Sequence, residues 1–222
     1  MFVKVDSSTI QHEMELFHDH LVNTDSDLKD SLVSVKKAHI TLLVFRVEEE
    51  QMETVRSIFK AVAMNKMDKD MFDVMFEGIE VFPNHTAVYM VPRTGIERLV
   101  LLNKTLKEAF TITGFPCEEV FTPHVTLAKQ RFWKGRELRE FPSEVLKKYE
   151  KKHFGIQTIR GIQLLSMTKQ DTNAGYYTCE EEMAFGEKYD NDKERYGMDG
   201  NNEQEDKCYK EKENEKEKNH AA

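Results

Sequence analysis

The 222-residue sequence predicts an α+β fold made of two similar lobes. Short apolar segments of strand length alternate along it with longer segments whose apolar residues recur at helical spacing. The order strand, helix, strand occurs twice, and the closing strand of each round carries the same pattern, His-aliphatic-Thr-Leu. Such repetition indicates an internal duplication, with two pseudo-symmetric lobes around a central cleft.

The first round begins with a strand at residues 2–5. Ser8 and Gln11 have the spacing of a capping box, so we expect a helix to begin there. The apolar stripe of this helix is Ile10, Met14, Phe17 and Leu21. The first motif strand follows and ends near Val47. A second helix then carries the apolar stripe Val55, Ile58, Phe59 and Val62.

The second round repeats this order. Its helix has the apolar stripe Leu99, Leu102, Leu106 and Phe110. We expect this helix to end at Gly114, since glycine followed by proline stops a helix. The remaining segments that predict strands are 76–82, 87–91, 120–129, 162–167 and 176–185.

The repeated motif is the most specific signal in the chain. Its copies are His39-Ile40-Thr41-Leu42 and His124-Val125-Thr126-Leu127. A random order of this composition would give roughly 0.02 copies of such a tetrapeptide. Side chains alternate across a strand, so His39 and Thr41 share one face of the first strand. By the same rule His124, Thr126 and Ala128 share one face of the second strand.

Each motif strand therefore presents one imidazole beside one hydroxyl, a set that suits a phosphodiester. Histidine titrates near neutral pH, so His39 and His124 are candidates for the general acid and the general base. Thr41 and Thr126 are candidate donors to the non-bridging phosphate oxygens, where negative charge must be held. This chemistry requires no metal ion, and we expect neither a metal nor a cofactor. For each copy alone, the alternative is an ordinary strand with a half-buried polar face.

Several segments together resemble the two-histidine phosphoesterase superfamily. Within it, the sequence is most similar to the central domain of the A-kinase anchoring protein 7/18 family. The segments that carry the resemblance are 37–44, 76–79, 121–126, 175–180 and 186–188. The similarity extends over residues 2–188. We therefore expect one phosphoesterase domain over residues 1–188 and a separate tail over residues 189–222.

The resemblance implies a bilobal two-histidine phosphoesterase fold, with antiparallel sheets around the cleft and helices outside. It also implies a metal-independent site, binding of nucleoside monophosphates and cleavage of 2′,5′-linked oligoadenylate. His39, Thr41, His124 and Thr126 match the family's catalytic set residue by residue. A module that binds AMP or CMP without turnover is the alternative, because the same four groups would hold a phosphate monoester.

Other residues are candidates for contact with the substrate. Phe121, Tyr176 and Tyr177 lie beside the matching segments, where they would either stack on a base or pack in the core. After the second motif, basic residues interleave with aromatic ones; they are Lys129, Arg131, Phe132, Trp133, Lys134, Arg136 and Arg139. Such a segment suits a nucleotide strand, through phosphate pairing and base stacking, with Lys129 and Trp133 the main candidates. A solvated surface with one anchoring tryptophan is the alternative.

Composition narrows the partners. No apolar run approaches the roughly 20 residues of a membrane span, so we expect no membrane contact. The net charge of −8 argues against indiscriminate binding to long nucleic acid. We expect a monomer that acts on oligoadenylate, short RNA or a nucleoside monophosphate in the cytoplasm, with the nucleus as a second compartment. The three cysteines have no pairing that predicts a disulfide framework or a zinc site.

The tail predicts disorder, because it is rich in charged and amide residues and nearly free of aliphatic ones. It shows no apolar stripe at helical spacing. Anchoring proteins of the similar family carry, after this domain, an amphipathic helix that binds the regulatory subunit of protein kinase A. We therefore expect this chain to bind no kinase regulatory subunit.

Overall fold

The computed structural model describes residues 1–83, 86–117, 120–130, 138–171 and 175–186, with the backbone alone for 168–171. The expected tail and the candidate Trp133 lie outside these ranges. None of the helices described is long and apolar enough to cross a lipid bilayer.

Four α-helices and eight strands make up the described chain. The helices are α1 (Ser8–Thr24), α2 (Met52–Asn65), α3 (Ile96–Ile112) and α4 (Ser143–Tyr149). The strands are β1 (Phe2–Lys4), β2 (His39–Thr41), β3 (Phe72–Val81), β4 (Ala87–Pro92), β5 (Val125–Lys129), β6 (His153–Ile159), β7 (Gly161–Asp171) and β8 (Tyr176–Ala184). Short 3₁₀ turns at Ser26–Ser31, Val35–Lys37 and Glu49–Gln51 connect some of them.

The strands form two antiparallel sheets of four strands each. Sheet A has the order β2-β1-β7-β8, and sheet B has the order β5-β4-β3-β6. The unit β1-α1-β2 in sheet A has the topology of β4-α3-β5 in sheet B, and each unit ends in a motif strand at the edge of its sheet. This arrangement confirms the predicted bilobal α+β fold and its repeated strand-helix-strand unit.

Both lobes share one hydrophobic core. Its largest fully buried side chains include Phe17, Phe59, Phe76, Phe110 and Phe154. Helix α1 packs on β5 and β6 of sheet B, whereas α2 packs on β8 of sheet A. An ion pair of 3.0 Å between Lys60 and Glu181 reinforces the contact between α2 and β8.

The first motif strand is shorter than its sequence predicts, since it ends at Thr41 and not near Val47. The backbone N–H groups of Leu42 and Leu43 both donate to the carbonyl of Met1, at 2.8 and 3.2 Å. Two donors on one carbonyl break the alternating ladder of an antiparallel pair, so the strand stops there.

The second motif strand is also shorter, since it begins at Val125 and not at Val120. Pro123 has no backbone N–H to donate to a ladder, which disfavours a longer strand. Within the strand, Tyr89 pairs with Thr126 and Val88 with Ala128, which leaves Leu127 as an extra residue in a β-bulge. Because of this bulge Ala128 lies in the hydrophobic core, where alternation had placed it beside Thr126.

Two elements, α4 and β6, are absent from the sequence prediction. Alternation in β6 is broken by Gly155, which has a φ of 129°, and by Gln157, which is a buried polar residue. Gln157 also explains why the expected capping box does not form at Ser8. Its side-chain oxygen accepts hydrogen bonds from the N–H groups of Asp6 and Ser7, so β6 holds the start of α1.

Candidate active site

The two motifs meet where the edge strands of the two sheets approach each other. Strand β2 lies next to β5, with Cα atoms within 8 Å. In sheet A, Thr41 stands opposite Phe2, and in sheet B, Thr126 stands opposite Tyr89. The fold therefore brings together the four motif side chains that the sequence singles out.

Both histidine rings are oriented by the same local hydrogen bond. The Nδ1 of His39 lies 2.7 Å from the carbonyl oxygen of Lys37, and the Nδ1 of His124 lies 2.7 Å from that of Thr122. A carbonyl oxygen can only accept, so Nδ1 carries the proton in each ring. The neutral ring then has its lone pair on Nε2, which can accept a proton or a hydrogen bond from a ligand.

Each histidine is flanked by one phenylalanine and one tyrosine. The His39 ring centroid lies 4.8 Å from that of Phe2 and 5.7 Å from that of Tyr177, both edge-on. The His124 ring centroid lies 5.0 Å from that of Phe82 and 5.2 Å from that of Tyr89, again edge-on. These aromatic neighbours pack against the two imidazoles and restrict the rotation of their rings.

Of these four aromatic residues, only Tyr177 was predicted from the sequence as a candidate for the site. Phe2 and Tyr89 reach the histidines because their strands pair beside the motif strands, and one sequence does not reveal which strands pair. Burial, and next a hydrogen bond to Glu80 at 2.9 Å, raise the pKa of Tyr89 to about 12. The Tyr89 hydroxyl therefore stays protonated and points its proton at Glu80.

The surroundings favour the neutral form of both histidines. Burial is the main cause that lowers the pKa of His39, and the nearby His124 lowers it further. Burial likewise lowers the pKa of His124, with a smaller contribution from the charge of Lys129. The contribution of His124 to the pKa of His39 places the two rings near each other in the site.

Hydroxyls and ammonium groups complete the site. The side chains of Thr41 and Thr126 are half-buried, and in the described part of the chain neither hydroxyl has a hydrogen-bond partner. Lys4 stands opposite His39 in the sheet, and its Nζ lies 5.6 Å from the ring centroid of Tyr176. Lys37 approaches Tyr177 in the same way, at 5.4 Å. These cations give the sheet A side of the site a positive charge.

The structure separates the other candidate residues. Tyr177 lies beside His39, whereas Tyr176 packs in a small cluster with Phe2 and Leu165. Phe121 packs against the main core, which was one of its two predicted roles. Lys129 is exposed at the end of β5, close enough to His124 to lower the pKa of that ring.

Arg139 is not available as a free phosphate ligand, in contrast to its predicted role in the basic segment. Its guanidinium pairs with Asp25 at 3.1 Å and with Asp27 at 2.7 Å. Its backbone forms two hydrogen bonds with the side chain of Gln130, at 2.6 and 2.9 Å. Gln130 and Arg139 are therefore tied to each other, and the candidate residues at 131–137 lie outside the described ranges.

A cavity of about 620 Å³ lies next to the first motif, between α2 and the end of sheet A. Its lining includes Phe2, Phe45, Arg46, Arg56 and Glu180. Phe2 belongs to both the cavity wall and the aromatic contacts of His39, so the cavity adjoins the site. Among the residues described, no group of three or more histidine, cysteine or acidic side chains has the geometry to hold a metal ion.

The chain is similar in sequence to a known protein family and to a curated human protein. Residues 1–185 match the model of the family described as the AKAP7 2′5′ RNA ligase-like domain. A curated relative, the Homo sapiens A-kinase anchor protein 7 isoform gamma, is 24% identical over 197 residues, which are 84% of this chain and 56% of that protein. The chain thus spans little more than half the length of that relative.

Solved structures show the same fold. TT0787 of Thermus thermophilus has a TM-score of 0.52 and 18% identity, over 77% of this chain and 92% of that one. E. coli LigT, in a crystal structure of its complex with 3′-AMP, has a TM-score of 0.52 and 15% identity, over 84% of this chain and 97% of that one. At this level of identity, the two likenesses show a shared fold.

Proposed function

The chain belongs to the AKAP7 2′5′ RNA ligase-like domain family of the two-histidine phosphoesterase superfamily, and on that premise we propose that it is a metal-independent phosphodiesterase. Its substrate is 2′,5′-linked oligoadenylate or short RNA, and its catalytic groups are His39 and His124. Thr41 and Thr126 bind the phosphate.

One observation carries this proposal. In both motifs a backbone carbonyl 2.7 Å from Nδ1 holds the histidine in the tautomer that leaves Nε2 for chemistry. A histidine that only packs in the core does not need this hydrogen bond. Here the same bond is present in both motifs, which lie next to each other. Two rings fixed in this way suit a reaction that removes one proton and delivers another on opposite sides of a phosphorus atom.

In a 2′,5′ linkage, the free 3′-hydroxyl next to the phosphate is a built-in nucleophile. One histidine, neutral at Nε2, takes the proton of this hydroxyl as its oxygen attacks phosphorus. The other, protonated at Nε2, gives its proton to the departing 5′-oxygen. The products are a 2′,3′-cyclic phosphate and a 5′-hydroxyl, and the two histidines end with their protonation states exchanged.

The remaining groups handle negative charge. As the bonds rearrange, charge on the non-bridging oxygens is stabilised by donors already in position, and Thr41 and Thr126 supply short hydroxyl donors. Lys4, Lys37 and Lys129 attract the anionic substrate toward the site. Tyr177 offers a ring face beside His39 on which a base stacks.

A nucleotide substrate is supported from two sides. The matching family is described as 2′5′ RNA ligase-like, and E. coli LigT, which shares the fold, was solved with 3′-AMP. The preference for the 2′,5′ linkage rests on the family resemblance, because the four motif groups could serve either linkage.

The direct test uses purified protein with 2′,5′-linked and 3′,5′-linked oligoadenylate in excess EDTA, with products resolved by chromatography. We expect the 2′,5′ isomer to be cleaved faster and EDTA to leave the rate unchanged. Equal rates on both isomers would move the assignment to RNA-end processing. Activity that EDTA abolishes and a divalent ion restores would overturn metal independence, and AMP binding without cleavage would instead identify a nucleotide-sensing module.

A further inference from the structure

Two side chains outside the motifs hold the backbone of the motifs in place. His18, on α1, lies with its Nε2 2.9 Å from the carbonyl oxygen of Leu127. Asn103, on α3, donates from its Nδ2 to the carbonyl oxygen of Leu42 at 2.7 Å. Both acceptors are the leucine that directly follows the motif threonine. Each contact therefore fixes the backbone one residue away from a phosphate-binding hydroxyl.

The two donors occupy equivalent places in the duplicated fold. His18 stands 21 residues before His39, from position 18 to 39, and Asn103 stands 21 residues before His124, from position 103 to 124. Each lies on the helix of a strand-helix-strand unit, α1 in the first and α3 in the second. The side chains differ, but both place an N–H donor at the same point of the repeat.

The contacts cross between the two units. Helix α1 precedes the first motif, yet His18 bonds to the second motif. Helix α3 precedes the second motif, yet Asn103 bonds to the first. The unit that contributes one motif thus supplies the donor that restrains the other motif. A change at either donor alters the relation between the two strands and not only the strand nearest to it in sequence.

Among the described residues, the carbonyl of Leu42 has no partner in the sheets, whereas that of Leu127 has one backbone donor from outside sheet B. Leu127 is the extra residue of the β-bulge in β5, and Leu42 lies just past the end of β2. A buried carbonyl without a donor is costly, so another element must satisfy it. Leu127 also accepts from the N–H of Val33 at 3.0 Å. His18 itself is buried, with 8% of its surface exposed, and its role is not explained by the chemistry of the motifs.

We propose that His18 and Asn103 are positioning residues of the active site, a crossed pair of side-chain hydrogen bonds that sets the separation of His39 from His124. The proposal rests on the proposed phosphodiesterase function. In-line transfer depends on that separation, because a displacement of about 1 Å can cost on the order of 10²-fold in rate. Binding of the substrate phosphate depends on it less.

The test compares variants that lose the donor with variants that keep it. His18→Leu and Asn103→Leu remove the N–H. His18→Gln places an amide nitrogen near the position of Nε2, and Asn103→His places Nδ1 near the position of Nδ2. Val145→Ala, in the buried face of α4, is the control that loses stability at a residue outside both motifs and without a role in either hydrogen bond. Each protein is assayed for kcat, for KM and for melting temperature.

We expect kcat to fall about 10- to 100-fold in the two leucine variants, with KM within about threefold of wild type. Asn103→Leu should be the more severe, because the described structure gives Leu127 a second donor. The two donor-keeping variants should recover most of kcat, and Val145→Ala should keep kcat at an equal loss of melting temperature. The proposal is overturned if the leucine variants keep wild-type kcat, or if Val145→Ala loses as much.

A second readout does not depend on turnover. Imidazole ¹⁵N NMR signals of His39 and His124 should shift in Asn103→Leu and His18→Leu but stay in place in Val145→Ala. If the wild-type protein cleaves nothing and these signals still respond as expected, the proposed function fails and the positioning role stands. If the signals do not respond, the positioning role fails whatever the activity.

Discussion

The two motifs have the same four-residue pattern but different surroundings. At the first motif, the tether between His39 and Lys37 is partly buried, and β2 has only three residues. At the second, His124 lies just before β5, and its tether to Thr122 is exposed. The two motifs therefore share the orientation of the histidine ring and differ in how far that ring's hydrogen bond is exposed to solvent. On the proposed function, this difference in surroundings would favour opposite acid and base roles for the two histidines.

Charge separates the two histidines as well. Apart from burial, the pKa of His39 is lowered by its partner His124, whereas that of His124 is lowered by Lys129. The charge on His124 therefore disfavours protonation of His39, and the charge on Lys129 disfavours protonation of His124. The variants below test whether the two motifs contribute equally to activity although their surroundings differ.

The largest effect should come from removing either imidazole. We expect His39→Ala and His124→Ala each to lower kcat by roughly 10²–10⁴-fold, because a general acid or base is lost. His12→Ala, at an exposed position of α1, is the control and should retain full activity. Circular dichroism should show all three variants folded. Full activity in either motif variant would exclude a mechanism that needs both histidines. A large difference in kcat between the two variants would show that one histidine contributes more to the rate than the other.

A smaller effect should follow from removing the hydroxyls. Thr41→Val and Thr126→Val keep the side-chain shape and lose the donor, so we expect kcat to fall by roughly 10²-fold in each. Thr41→Ser and Thr126→Ser keep the hydroxyl and should stay within a few-fold of wild type. If the valine and serine variants behaved alike, the threonines would act through packing and not through phosphate contact.

The pH dependence of kcat/KM should show which motif controls each limb. Both histidines have a pKa below the ordinary value of about 6.5, so the catalytic acid loses its proton below that pH. We expect a bell-shaped profile with its optimum below about pH 6.5 and a fall of about tenfold per pH unit on the alkaline side. Lys129→Gln removes a positive charge near His124 and should move one limb toward higher pH. A flat profile between about pH 6 and 8 would contradict this account.

The smallest effect concerns stability. His18, His39 and His124 all have a folded-state pKa lowered mainly by burial, so the unfolded chain binds more protons between that value and about 6.5. The free energy of unfolding therefore rises with pH across this window, and their contribution is lost as the pH falls through the folded pKa values. We expect a lower melting temperature at about pH 5 than at about pH 7.5. His18→Gln should weaken this dependence, since glutamine does not titrate; an unchanged slope would exclude His18 as a contributor.

The sequence predicted much of the fold because periodicity and repetition are local signals. The stripe of α1 and the tetrapeptide at His39 and His124 can be read without knowledge of any tertiary contact. Element ends were less predictable. The start of α1 is set by Gln157, a residue about 150 positions away in the chain, and the bulge at Leu127 depends on how β5 pairs with β4.

The same limit applies to the candidate site. Its four motif residues follow from alternation within a strand, which sequence reveals. Phe2, Phe82 and Tyr89 are brought to the histidines by strand pairing and by the turn after β3, which a single sequence does not encode in any local pattern. Arg139 was misplaced for the same reason, since its acidic partners Asp25 and Asp27 are distant in sequence.

Gln130 and Arg139 flank the segment 131–137 and are joined to each other. Two hydrogen bonds link the side chain of Gln130 to the backbone of Arg139. The guanidinium of Arg139 in turn pairs with Asp25 and Asp27, at the start of the turn Ser26–Ser31. Gln130, which follows β5, is therefore held by contacts with residues outside 131–137. We therefore expect β5 and His124 to tolerate substitution of the basic and aromatic residues in 131–137. On the proposed function, changes that alter the choice of substrate and changes that alter the chemistry would then fall on separate parts of one short stretch of chain.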